Sequence, residues 1–292
     1  MVNKMTKVIV LRAAGTNCDL ETAYAFKKHQ AEVDLIHINE LKSKKRRLSS
    51  YHILAIPGGF TYGDDVAAGR ILANELRFNL KEDLAKFIQD GKLIIGICNG
   101  FQVLVKAGLL PDCESLKQKA TLTLNDSGKF EDRWVYLKKP DIRSHTPKGT
   151  GKTEDSDRRE SRAESRGNQK SDSCVWTKDI NEIIYLPVAH AEGKFITDKD
   201  TLEELKEDNQ IIFQYVDKEG KLEGYPHNPN GSVENIAGIC DKTGRILGLM
   251  PHPERSIVSY HHPHWQKNQD IKEGDGKLIF KNAVSYIKSH LL

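Results

Sequence analysis

Short β-branched runs alternate along this chain with segments whose apolar residues recur at helical spacing. Val8–Leu11 reads as a first strand, and Asp19–Gln30 follows as a helix with Leu20, Ala23 and Tyr24 on one face. Val33–Ile38 and Ile53–Ile56 continue as strands. Ala67–Gln89 reads as one long helical stretch that leads into Leu93–Ile97, an almost wholly apolar run suited to a buried central strand. Thr121–Leu124, Trp134–Leu137, Ile183–Val188, Ile211–Val216, Ile236–Ile239 and Ile246–Met250 complete the expected strands, and Leu278–Ile287 reads as a closing amphipathic helix. Such alternation predicts an α/β fold, a central mostly parallel sheet flanked by helices, in a single domain over residues 1–292. No internal repeat is visible.

One stretch breaks the pattern. Between Asp141 and Ser173 the only large aliphatic residue is Ile142, amid eight positive and seven negative side chains. It cannot bury enough apolar surface to offset its chain entropy, so it is expected to be a disordered surface insertion. Within it, Gly149-Thr150-Gly151-Lys152-Thr153 imitates a phosphate-binding loop. Thr146 stands where that loop needs its first glycine, so nucleotide binding is not expected there.

Composition narrows the class. The 292 residues are 38% hydrophobic and carry a net charge of +3, with both signs dispersed, which argues against a dedicated nucleic-acid binder. The apolar runs are too short to span a bilayer or to form the core of a leader peptide, so a cytoplasmic protein with no membrane partner is expected. Cys18, Cys98, Cys113, Cys174 and Cys240 are odd in number and widely spaced, which fits neither a disulfide framework nor a cysteine zinc site. Lys42-Ser43-Lys44-Lys45-Arg46-Arg47 is read as a solvated surface turn. His261-His262-Pro263-His264 lacks acidic or cysteine companions, so no metal is expected there.

The chemistry concentrates at Gly96-Ile97-Cys98-Asn99-Gly100, directly after the buried strand and before a helical stretch. Small residues flanking a central nucleophile form a tight strand-to-helix elbow that lifts the central side chain above the sheet. The helix N-terminus behind it favours negative charge on sulfur, and the Asn99 amide is placed to donate to an oxyanion. The other four cysteines lack this setting and are read as small buried residues. Two His-x-Glu segments follow strands and offer a base with an orienting acid: His190-Ala191-Glu192 and His252-Pro253-Glu254. Pro251 and Pro253 favour an extended chain, which puts His252 and Glu254 on one face; spacing prefers this pair without excluding the other. Pro57-Gly58-Gly59, after a strand, lets backbone amides approach a ligand closely.

Together these segments resemble the class-I glutamine amidotransferases, which use a cysteine–histidine–glutamate triad on a flavodoxin-like sheet. Leu11 to Asp19, the run Pro57-Gly58-Gly59-Phe60-Thr61-Tyr62-Gly63-Asp64-Asp65, Asn228-Pro229-Asn230-Gly231-Ser232 and Met250 to Arg255 resemble, more narrowly, the family of glutaminase subunits of phosphoribosylformylglycinamidine synthase. Two features depart from that pattern: Ala14, where a proline is expected, and the charged insertion. The resemblance implies Cys98 as nucleophile, His252 as base, Glu254 as its orienting acid, and the amides of Gly59 and Asn99 as the oxyanion hole. It implies that Gly58, Gln102 and His190 lie around the bound glutamine, with His190 outside the triad. It also implies no metal or cofactor in this chain. ATP and magnesium would belong to a separate synthetase subunit that aminates formylglycinamide ribonucleotide in purine (IMP) biosynthesis, joined by a small bridging subunit. The alternatives are a glutaminase serving another synthetase, a cysteine peptidase or hydrolase on a similar elbow, or a non-catalytic binding module.

Overall fold

The computed structural model describes residues 5–140, 174–267 and 272–292; the expected insertion at 141–173, with its loop at Gly149–Thr153, lies outside them. Eleven strands are present: β1 (Lys7–Arg12), β2 (Glu32–His37), β3 (Ile53–Ile56), β4 (Leu93–Ile97), β5 (Ala120–Thr123), β6 (Glu131–Lys138), β7 (Ile184–His190), β8 (Lys194–Thr197), β9 (Ile211–Val216), β10 (Ile236–Cys240) and β11 (Ile246–Leu249). Nine form one sheet in the order β2-β1-β3-β4-β11-β10-β9-β6-β7, and β5 pairs with β8 apart from it. β2, β1, β3, β4 and β11 are parallel neighbours, whereas β10 and β6 run against the rest. The fold is therefore the mostly parallel α/β sheet expected.

The described helices are α1 (Asp19–Lys27), α2 (Ile38–Lys42), α3 (Arg70–Asn79), α4 (Lys81–Gln89), α5 (Asn99–Lys106), α6 (Lys199–Glu207) and α7 (Lys277–His290). The single stretch expected over Ala67–Gln89 is two helices. The chain enters α3 through Gly69 at φ +73°, and it breaks at Leu80, whose buried side chain and φ of −123° turn the path without any proline or glycine. The basic run at 42–47 lies on the surface, where Lys42 and Lys44 reach Glu75 and Asp83 at 2.6 Å.

The topology decides where a site can form. From β1 the chain crosses to β2 on one side, and from β3 it crosses to β4 on the other, so strand order reverses between β1 and β3. Right-handed crossovers then put α1 and α3–α4 on opposite faces and leave a crevice at the carboxyl ends of these strands. Both central strands, β3 and β4, are buried along their whole length. That edge receives the segments after β1, β3, β4, β7 and β11 together.

Candidate active site

Cys98 stands at the sharp turn between β4 and α5, at φ +51° and ψ −107°, a region a non-glycine residue occupies only under constraint. Its neighbours supply the constraint. A Cβ on Gly100 would lie 1.9 Å from the Ile56 carbonyl oxygen, and one on Gly96 would lie 2.5 Å from that of Gly100. Only glycine lets α5 sit this close to β3. The Cys98 amide donates to Leu249 O at 2.8 Å, tying the turn to β11, and the side chain faces Ala189 O at 3.7 Å. The Asn99 N–H opens α5 and so has no intrahelical acceptor.

β11 delivers the second group. Pro253 opens a short 3₁₀ turn, and the His252 amide donates to Pro187 O at 2.8 Å, fastening this segment to β7. His252 Nδ1 lies 2.6 Å from Glu254 Oε1, with both side chains buried. A carboxylate accepts, so Nδ1 carries the proton and Nε2 is left free to act. Burial disfavours the His252 cation. The Glu254 carboxylate and then the Cys98 sulfur outweigh that effect, and the ring's pKa is held well above its ordinary value.

The glycine loop after β3 is clamped from the β1 side. Gly58 O accepts from the amides of Asn17 (3.4 Å) and Cys18 (3.2 Å), while the Phe60 amide donates to Gly15 O at 2.9 Å. Because Gly58 O points toward this first loop, the Gly59 N–H across the same trans peptide points the other way, out of the clamp. Gly59 has φ +140°, and a Cβ there would lie 2.7 Å from the Asn17 nitrogen, so glycine is required. At Gly58 a Cβ would stand 2.8 Å from His252 Cε1, 3.1 Å from Cys18 Sγ and 3.4 Å from Cys98 Cβ. One point thus borders all three residues.

The remaining expected residues surround this centre. Gln102 is buried and fully engaged: its amide donates to Glu192 O and its Oε1 accepts from Asn99 Nδ2 at 2.9 Å. Asn99 in turn accepts from the Thr61 hydroxyl at 2.6 Å and donates to Asp64 at 3.1 Å, which binds the elbow to the glycine loop. His190 ends β7 at the same edge. Its Nδ1 meets Asn125 Oδ1 at 3.2 Å, and Glu192 is turned away toward the Ala68 amide at 3.4 Å. The two His-x-Glu segments therefore differ in kind, since only 252–254 forms a histidine–carboxylate pair. Burial, with His252 adding to it, pushes the His190 pKa down to about 3.

Several neighbours escaped the sequence reading. Cys18 is buried as expected, but it lies inside the site: its sulfur borders the His252 ring and accepts from Arg255 Nη2 at 3.0 Å. Arg255 also faces Glu21 at 3.6 Å, so it ties the end of the His252–Glu254 segment to α1. Asn125 gathers the His190 ring and the Gly193 amide, and Asn230 holds Gly193 O at 2.8 Å. Cys18, Asn230 and Arg255 lie within segments that carry the family resemblance, whereas Asn125 has no such signal.

Comparison with known proteins gives this geometry a family. A model of the CobB/CobQ-like glutamine amidotransferase domain matches residues 5–148 and 140–287. The phosphoribosylformylglycinamidine synthase subunit PurQ of Methanococcus maripaludis is 42% identical over 300 residues, spanning 98% of this chain and 99% of the relative. That of Dehalococcoides mccartyi is 45% identical over 283 residues, spanning 97% and 98%. Among solved structures, a chain in PurLQS from Thermotoga maritima superposes with a TM-score of 0.66 at 27% identity, covering 97% of this chain and all of that one. On this sequence likeness over nearly its whole length, the chain belongs to the glutamine amidotransferase family of phosphoribosylformylglycinamidine synthase PurQ subunits.

Proposed function

We propose that this chain is the glutaminase subunit of a phosphoribosylformylglycinamidine synthase, hydrolysing glutamine to glutamate and passing ammonia to a separate ATP-dependent synthetase subunit. The observation that carries the chemistry is the His252–Glu254 contact at 2.6 Å beside the elbow cysteine. In this mechanism the Cys98 thiolate attacks the side-chain amide carbon of glutamine. The Gly59 and Asn99 amides receive the oxyanion, whose charge is best stabilised by donors fixed beforehand. His252, protonated on both nitrogens, gives its Nε2 proton to the departing ammonia and leaves a γ-glutamyl thioester. It then takes a proton from water, whose oxygen replaces sulfur on the acyl carbon, and glutamate departs. Glu254 holds the ring's tautomer throughout. Gly58 lets the ring and the two sulfurs approach, Gln102 acts through Asn99 and Glu192, and His190 stays neutral as part of the wall.

The partner reading rests on the PurLQS neighbour and on the PurQ relatives. The synthetase and a small bridging subunit would complete the assembly, with ATP and magnesium bound by the synthetase and no cofactor needed by this chain. The reaction belongs to purine synthesis and so to the cytoplasm; no described helix is long and apolar enough to cross a membrane. The test is glutamate release by the pure chain, alone and with the synthetase, formylglycinamide ribonucleotide and ATP, together with trapping of Cys98 by a glutamine-mimicking electrophile. Cleavage of peptides or esters with no turnover of glutamine would instead make this a cysteine hydrolase.

A further inference from the structure

The last turn of α5 encloses a lysine that the chemistry above does not use. Lys106 is only 2% exposed, and its ammonium donates to Ala68 O at 2.5 Å. A cation is rarely enclosed this far unless its position is needed. Burial pulls its pKa below the ordinary lysine value, while Glu192 and Asp64 favour the charge and Arg70 opposes it. Asn99, Gln102 and Lys106 share one face of α5, at i, i+3 and i+7. Asn99 holds one end of the 61–69 segment through Thr61 and Asp64, and Lys106 holds the other at Ala68. About 10 Å of helix separates the two anchors.

Between these anchors the chain forms an arch that its own preferences would not sustain. Tyr62, Gly63, Asp64, Val66 and Gly69 all have φ between +53° and +73°. Three of them carry side chains, and Val66 is β-branched yet 88% exposed, so packing does not hold it there. Left-handed backbone in such residues persists only where the surroundings impose it. Here the constraint comes from the two feet. At the far foot a Cβ on Gly69 would lie 2.9 Å from Val103 Cγ2, so the chain rests directly on α5. Ala68 is gripped twice, its carbonyl by Lys106 and its amide by Glu192 Oε2 at 3.4 Å. The near foot, Thr61, stands two residues after Gly59 and is bound to Asn99, so it adjoins both oxyanion donors of the proposed mechanism. We infer that Lys106 is a positioning residue: by holding Ala68 it fixes the arch, and through Asp64, Thr61 and Asn99 it fixes the two amides that receive the oxyanion. The catalytic half of this inference rests on the proposed function; the anchoring half does not. Because the oxyanion exists only beyond the ground state, a loosened arch lowers kcat and leaves KM in place.

The test compares full-length wild type with Lys106→Met, Glu192→Ala and the double variant, with the synthetase present where turnover needs it. Methionine fills nearly the same space but leaves Ala68 O without its donor. Each kcat is divided by the amount of Cys98 trapped by a glutamine-mimicking electrophile, so that misfolded protein does not count. In Lys106→Met this normalised kcat should fall about 10–100-fold with KM within about twofold, as for a displaced transition-state contact. Since Lys106 and Glu192 both act through Ala68, the double variant should stay within about threefold of the slower single one, whereas independent losses would multiply. Amide hydrogen exchange over residues 62–70 should speed up at least about tenfold in Lys106→Met, with β3 and β4 unchanged. If Lys106→Met does not fold, Glu192→Ala carries the same kinetic and exchange comparison. Unchanged normalised kcat, multiplying losses or unchanged exchange overturns the inference. A wild type that never hydrolyses glutamine removes the proposed function, and the exchange result still decides whether Lys106 holds the arch. Normal turnover in both wild type and Lys106→Met leaves the function standing and removes the positioning role.

Discussion

His252 Nδ1 and Glu254 Oε1 approach to 2.6 Å in a pocket closed to solvent, while the chain's other buried site histidine, His190, faces a neutral amide oxygen on Asn125. Only the first pairing can stabilise an imidazolium as a proton moves through the ring. His252→Ala should therefore lower kcat for glutamine hydrolysis by several orders of magnitude. Glu254→Gln should lower it by about 10²–10⁴, since the amide no longer fixes the tautomer. His190→Ala should cost less and act mainly on KM. A reversed ranking in steady-state glutaminase assays would move the base to His190.

Cys98→Ala should abolish both glutamate release and covalent trapping. The reconstituted complex should nonetheless aminate its nucleotide substrate when supplied with ammonium salt, because the synthetase chemistry is separate. Glutamine-dependent turnover surviving in this variant would sink the thioester mechanism.

The glycine loop separates catalysis from stability. At Gly58 an added Cβ meets the His252 ring at 2.8 Å, a movable side chain, so Gly58→Ala should fold. A ring displaced by about 1 Å costs roughly a hundredfold in rate, and kcat should fall by at least that much with melting little changed. Gly59→Ala is different, because its φ of +140° and the Asn17 backbone at 2.7 Å leave nothing to yield. It should lose stability by about 1–3 kcal/mol as well as activity. Calorimetry and kinetics on the two variants check the contrast.

His190 gives a pH dependence of stability. Its pKa is near 3 when folded against 6.5 as the reference, so the unfolded chain binds the extra proton between those values. The contribution is intact above about pH 6.5 and declines as pH falls toward 3, at roughly 1.4 kcal/mol per pH unit, or about 2 kcal/mol by pH 5. His190→Gln removes this term, so its melting temperature should fall less steeply than that of the wild type between pH 6.5 and 5. Parallel slopes in the two proteins would refute the assignment.

What could be read from the sequence follows how local each feature is. Ile53–Ile56, Leu93–Ile97 and Ile211–Val216 have the bounds expected, because continuous apolar runs between turns leave little choice. β8 was missed because its four residues bury only Phe195 and pair away from the main sheet. α6 was missed because charge hides its Leu202 and Leu205 stripe, although Asp198 caps it by accepting from the Thr201 amide. At the site, the elbow and the His252–Glu254 pair are each contained within a few residues. Arg255 and Cys18 meet across 237 positions, and His190 and Asn125 across 65, so no local pattern could announce those contacts.

The insertion of β11 between β4 and β10 also has a consequence for synthesis of the chain. A ribosome releases the elbow cysteine and the glycine loop long before residues 246–254, which supply both the central neighbour strand and the proposed base. Until they arrive, the nascent protein holds a thiol with nothing to take its proton. With His252 as the proposed base, ammonia production should begin only once the last strand has been laid into the middle of the sheet, and unfinished chains should be silent.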